Sequence, residues 1–227
     1  MRRTWVWTIG LLGAALGLLW QGCTPPTRVT AVSYVGLSTV RAEKMGVMPF
    51  LTGRNPSNFK ETLSCNLCNL VFDSDSVDVG ASSALTRYVY EDLYDRFQDR
   101  VIPHDKMVPV YEGISKDPDR DTPLTLARRV GQALGANVMV LGTVWRYRDK
   151  GGSSASSRVS ASVAFDVYVV DVRTGNMLWM ANFDETQRAL SDNVWDIDTF
   201  FSRGAKWLSA NELAHYGVGE IVKQMPF

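Results

Sequence analysis

The stretch "RVSASVAFDVYVVDVRTGNMLWMANF", Arg158–Phe183, carries the strongest structural pattern in this chain. Val159, Ala161, Val163, Phe165, Val167 and Val169 alternate with Arg158, Ser160, Ser162, Ala164, Asp166 and Tyr168. A period of two predicts a β-strand with one buried face and one polar face. Thr174, Gly175 and Asn176 then supply turn chemistry, and Met177–Phe183 reads as the returning strand of a hairpin. Gly175 is expected at a positive φ, which a tight turn demands and other residues adopt only at a cost. Counting on by two, Trp179 shares a core face with Met177, Ala181 and Phe183. Asp184 and Glu185 are expected beyond the sheet in solvent, and Asp171 in the turn.

Working upstream, Val138–Val144 is a nearly continuous apolar run, as expected of a central strand covered on both faces. A helix precedes it. Thr122 is its cap, Pro123 its first position and Gly135 its stop, with Leu126, Ala127, Val130, Ala133 and Leu134 as the buried stripe. Val101–Ile102 and Val108–Tyr111 read as two short strands, edge-like because of Pro103 and Pro109. Ala81–Phe97 reads as a helix, with Leu85, Tyr88, Val89, Leu93 and Phe97 at helical spacing and an Asp92–Arg96 pair four apart. Lys44–Phe50 reads as a strand ending near Pro49. Residues 51–79 read as polar and irregular. Downstream of the hairpin, a helical stretch is expected near 193–203. Ser209–Glu212 is a capping box that opens a last helix with Leu213, Tyr216, Ile221, Val222 and Met225 on its apolar side. Gly217 and Gly219 weaken that helix and invite a kink.

The amino terminus carries a different signal. Arg2 and Arg3 precede Trp5–Trp20, a run without a charged side chain and short for a bilayer span. Gly22 stands before Cys23, and Thr24, Pro25, Pro26 and Thr27 follow. The arrangement resembles a bacterial lipoprotein signal, in which the cysteine thiol is acylated and the chain is cut just before it. Trp20 and Gln21 stand where such signals favour Leu and a small residue. An ordinary signal peptide and an uncleaved anchor are the alternatives. Acylation of Cys23 would anchor the chain to a membrane, because each buried methylene contributes about 0.8 kcal/mol and two or more chains hold stably. Thr24, where an Asp would retain the protein at the inner membrane, implies the periplasmic face of the outer membrane. The expected layout is a signal peptide over 1–22, a tether over 23–43 with a short strand around Val29–Val35, an α/β domain over 44–190 and a helical C-terminal extension over 191–227.

Composition excludes some classes. With 24 basic and 24 acidic residues among 227, the chain has no excess of positive charge, so no nucleic-acid partner is expected. Aromatic residues at 11% and hydrophobic ones at 45% suffice for a sizeable core. Three cysteines are present. Cys65 and Cys68 form a Cys-x-x-Cys pair. Asn69 excludes haem attachment, which needs a His there. A zinc site would need two more ligands, and His104 and His215 are scattered. A redox pair normally opens a helix after a strand. A local structural disulfide between Cys65 and Cys68, or two free thiols, is the expectation.

"VMPF", "LGANVMVLGTVWRYRD" and "FDVYVVDVRTGNMLWMANFDETQ" together resemble a group of bacterial envelope lipoproteins. The group includes the curli-secretion-channel family, the penicillin-binding-protein activator lipoproteins and the amino-terminal domain of the TolB translocation protein. The features that match are Pro49 and Phe50, Gly135 to Gly142, and Asp171, Thr174, Gly175 and Trp179, within residues 44–185. The resemblance implies an α/β fold with a mixed sheet flanked by helices, like anticodon-binding domains.

No nucleotide loop, zinc helix or Gly-x-Ser-x-Gly elbow occurs, and His104 beside Asp105 does not make an acid–base pair. The expectation is a protein that is not an enzyme, with no catalytic residue, no metal and no cofactor beyond lipid on Cys23. Two functional classes remain. One is a lipid-anchored periplasmic accessory or scaffold that binds envelope proteins. The other is a channel-forming outer-membrane secretion subunit of the curli-exporter type. A homo-oligomer is compatible with either.

Overall fold

A computed structural model describes residues 29–34, 36–52, 62–64, 71–73, 77–114, 121–149, 161–187 and 208–227. Along the chain it runs β1 (Val29–Ser33), β2 (Met45–Val47), β3 (Leu51–Thr52), β4 (Thr62–Ser64), β5 (Val71–Asp73), α1 (Ala81–Phe97), α2 (His104–Gly113), α3 (Pro123–Leu134), β6 (Val138–Arg148), β7 (Ser162–Asp171), β8 (Met177–Thr186) and α4 (Ala210–Gln224).

The main sheet has six strands in the order β1-β8-β7-β6-β2, with β3 also on β6. β2 and β3 lie parallel to β6, and β6, β7, β8 and β1 are successively antiparallel. The fold is therefore α/β with a mixed sheet. Its first face packs Val140, Val144, Phe165, Val167, Trp179 and Phe183 against α1 and α4. Its second face packs Met139, Leu141, Tyr168 and Val170 against α2 and α3.

Local chemistry explains most elements. Thr122 Oγ1 accepts from Thr125 N–H at 3.2 Å, Pro123 opens α3, and Gly135 ends it at φ 63°. Ser209 and Glu212 form the complete capping box of α4, which continues unbroken through Gly217 and Gly219. The β7–β8 turn rests on Asp171. Its Oδ1 accepts from Arg173 N–H at 3.0 Å and its Oδ2 from Thr174 Oγ1 at 2.7 Å. Gly175 has φ 77°, the left-handed backbone that the turn requires.

The two fold motifs upstream meet each other. The strand expected over Val138–Val144 continues to Arg148 as β6. Gly142 is the place where the Phe50 ring meets β6, and a Cβ there would come within 2.2 Å of the ring. Phe50 is pinned through its backbone to α1: its N–H donates to Thr86 Oγ1 at 2.9 Å and its C=O accepts from Ser82 Oγ at 2.5 Å.

Several sequence expectations are corrected. Val29–Ser33, placed in the tether as a short strand, pairs with β8 and so belongs to the main sheet as an edge. α4, the helix expected in the C-terminal extension, packs in the same core as α1. Val108–Tyr111 lies in helix α2, not a strand. Pro109 costs that helix a backbone bond, but Met107 is buried against the sheet and packing prevails. Ala133 is exposed and Gly131 takes its place in the buried stripe, while Tyr216 is 38% exposed. Residues 62–64 and 71–73, read as irregular, form the antiparallel pair β4–β5. Asp92 lies 3.5 Å from His215. Arg96 instead donates to the carbonyls of Val222, Met225 and Phe227, tying α1 to the end of α4. Cys23, Cys65, Cys68 and the 193–203 stretch lie outside the described residues.

Candidate interaction surface

The second face of the sheet divides into two parts. α2 and α3 cover the part built on Met139, Leu141, Tyr168 and Val170. Toward β1 the inward apolar pattern gives way to polar residues, and these are held by one another.

Asp166 is the centre of that polar part. The alternation puts it on the polar face, and that face is covered: all ten residues of β7 are buried and Asp166 is only 5% exposed. Its Oδ2 accepts from Trp145 Nε1 at 2.7 Å and from Tyr168 OH at 2.8 Å, and its Oδ1 accepts from Asn182 Nδ2 at 2.7 Å. Burial, and then the neighbouring Asp166, push the Tyr168 phenol far above its usual range, so it stays a donor. A carboxyl that receives three side-chain donors is a structural tie across β6, β7 and β8, poorly placed to accept a proton from a substrate.

A local irregularity brings Trp145 into this group. The β6–β7 register shifts between Val144 and Arg146, which places Trp145 and Arg146 both toward the second face. Arg146 Nε donates to Ser162 Oγ at 2.5 Å, and its guanidinium pairs with Asp184. Ser162 Oγ and Thr186 Oγ1 lie 2.5 Å apart. No period-two count along β6 could have predicted a bulge, so this cluster was not legible beforehand.

Asp184 and Glu185 separate. Asp184 is exposed and bridged to Arg146, whereas Glu185 is 6% exposed, opposite Val163 on the core side of β8. The expectation that both lie in solvent beyond the sheet is corrected, because β8 continues to Thr186. Trp179 is buried at 2% with Ala181 and Phe183 as expected. Met177 instead packs with the second-face cluster, because a register shift between Val169 and Val170 inserts Leu178.

The two histidines do not meet. His104 opens α2, with its ring 5.9 Å from that of Tyr90, and His215 stacks on Tyr88 at 4.7 Å. Among the described residues no group of three or more His, Cys, Asp or Glu side chains could hold a metal ion. Among them too, no helix is long and apolar enough to cross a membrane.

At the β1 end, apolar side chains reach the surface. Val32 is 44% exposed opposite Met180. Tyr34 is 40% exposed, and its hydroxyl donates to the Met180 sulfur at 3.0 Å. A valine and a tyrosine thus lie at the surface beside the polar network.

No known protein family and no curated protein matches the sequence. The chain is similar to solved structures that include the PelC dodecamer of Paraburkholderia phytofirmans, at 12% identity, covering 86% of this chain and 93% of that one, with TM-score 0.48. Lipoprotein GNA1162 of Neisseria meningitidis is similar at 16% identity, covering 72% and 94%, with TM-score 0.42. The LpoB C-terminal domain of Salmonella enterica is similar at 12% identity, covering 66% and 93%, with TM-score 0.39.

Proposed function

We propose that this chain is a lipid-anchored accessory or scaffold protein of the bacterial envelope. It is held on the periplasmic face of the outer membrane through Cys23 and binds envelope proteins through the sheet surface at β1, without catalysing a reaction. The observation that carries this reading is the charge-free run Trp5–Trp20 ending at Gly22-Cys23, followed by the prolines. The motif resemblance supports it, since Phe50 and Gly142 pack together and Asp171, Thr174 and Gly175 build one turn. The occupied oxygens of Asp166 support a binding role over a chemical one.

The channel reading draws less support. A barrel wall needs strands of about 9–11 residues from each subunit. Strands β6, β7 and β8 have that length, at 11, 10 and 10 residues, and are committed to the domain's own core.

Metabolic labelling with a fatty acid tests the anchor. Wild type should take up label and Cys23→Ser should not. Equal label on both would sink the reading.

A further inference from the structure

The two edges of the sheet are finished differently. At one edge β2 is covered: Met45 bridges Val101, and Ile102 N–H donates to Met45 C=O at 2.8 Å. Further along β6, Asp78 N–H donates to Tyr147 C=O at 3.1 Å. At the other edge β1 ends the sheet. Tyr34 N–H donates to Leu178 C=O at 2.8 Å, and Val32 lies opposite Met180. Backbone direction alternates along a strand, so Thr30 and Val32 face β8, and the N–H and C=O groups of Val29, Ala31 and Ser33 face outward. Among the described residues nothing bonds these outward groups. Natural edges are blunted with charge, proline or a bulge. β1 reads VTAVS, with none of these, and four of its five residues are exposed.

We propose that β1 is a dimer edge, on which a second copy of this chain pairs its own β1 in antiparallel register. A two-fold axis at Ala31 sets Ala31 against Ala31 of the partner subunit, and Val29 against Ser33 of the partner subunit. Every outward donor then meets an outward acceptor, because the outward positions fall at odd numbers on both strands. The strand is its own complement, and the two sheets become one.

Chain length argues for a second copy over a free peptide. Only Thr24–Arg28, five residues, separate Cys23 from β1. Fully extended they reach about 18 Å. This step rests on the proposed anchor at Cys23. A second copy anchored in the same leaflet holds its β1 at the same height, and tethering to one surface raises the effective concentration of the two edges. With the axis along the membrane normal, both Val29 ends stay within reach of their tethers.

The test uses the full chain in isolated envelopes, with Cys65 and Cys68 replaced by Ser. Under mild oxidation Ala31→Cys should form a disulfide-linked dimer, since paired edges bring the two Cα atoms within bonding range. Ser83→Cys, on the exposed side of α1, should not. Ala31→Pro removes only an outward N–H, and Ala31→Lys sets two ammonium groups face to face. Each should convert the detergent-extracted dimer to monomer with the melting temperature retained. No crosslink at Ala31, or a dimer mass unchanged in both variants, overturns the pairing. Fatty-acid labelling of the same samples reports the anchor separately. A labelled chain that fails to crosslink refutes the pairing alone. An unlabelled chain that crosslinks through Ala31 keeps the pairing and refutes the anchor.

Discussion

Gly142→Ala is a sharp probe of how this domain is assembled. In a strand interior Ala is ordinarily favoured over Gly by about 0.5–1 kcal/mol, so a neutral environment would show a gain. Here the new Cβ would lie 2.2 Å from two Phe50 ring atoms and 2.7 Å from the Asp166 carbonyl oxygen. Neither neighbour yields easily. The carbonyl belongs to β7, and the ring packs edge-on to Phe165 at 6.2 Å while both backbone groups of Phe50 are bonded to α1. Overpacking of this kind costs about 1–3 kcal/mol. At this chain length that corresponds to a loss of roughly 2–12 °C in melting temperature. Phe50→Ala alone should cost about 3–5 kcal/mol. Urea unfolding of wild type, both single variants and the double variant closes a cycle. With the ring gone, Gly142→Ala should lose most of its penalty, giving a coupling of about 1 kcal/mol or more. Additivity within about 0.3–0.5 kcal/mol would refute the contact, as would a stabilising Gly142→Ala.

Asp166→Ala removes the acceptor of two buried donors and one half-buried one, so a loss of about 2 kcal/mol or more is expected by urea unfolding. An effect under about 0.5 kcal/mol would show that the network does not tie the strands. Gly175→Val forces a β-branched side chain to φ 77° and should cost about 1–3 kcal/mol; a melt unchanged from wild type would count against the turn. Glu185→Ala should lower the melting temperature more than Asp184→Ala, because Glu185 is buried and Asp184 is exposed, and the reverse order would place β8 out of register. Burial first, with Asp95 and Glu91 adding and His215 opposing, raises the Asp92 carboxyl above its ordinary 3.8. The folded chain holds that proton more tightly, so the stabilisation is complete below pH 3.8 and lost as pH rises through the raised value. Wild type should therefore lose stability relative to Asp92→Asn as pH climbs above 3.8, and a pH-independent difference would refute the shift.

What the sequence determined by itself is what neighbours along the chain determine. The caps at Thr122 and Ser209, the stop at Gly135, the turn at Asp171–Gly175 and the limits of α1 all rest on contacts within a few residues. Periodicity likewise placed Phe165, Val167, Trp179 and Phe183 on one core face. Tertiary structure decided what depends on a distant partner. Residues 104–113 are helical although two prolines argued for edges, because Met107 finds the sheet's second face. Asp166 is buried because Trp145, Tyr168 and Asn182 converge on it from three strands, and the bulge that turns Trp145 inward has no local signature. The short strand at Val29–Ser33 was legible, but its place in the main sheet was not, because β8 offers it the edge it pairs with. A backbone ladder is made with whatever strand lies alongside, and only the folded chain decides which strand that is.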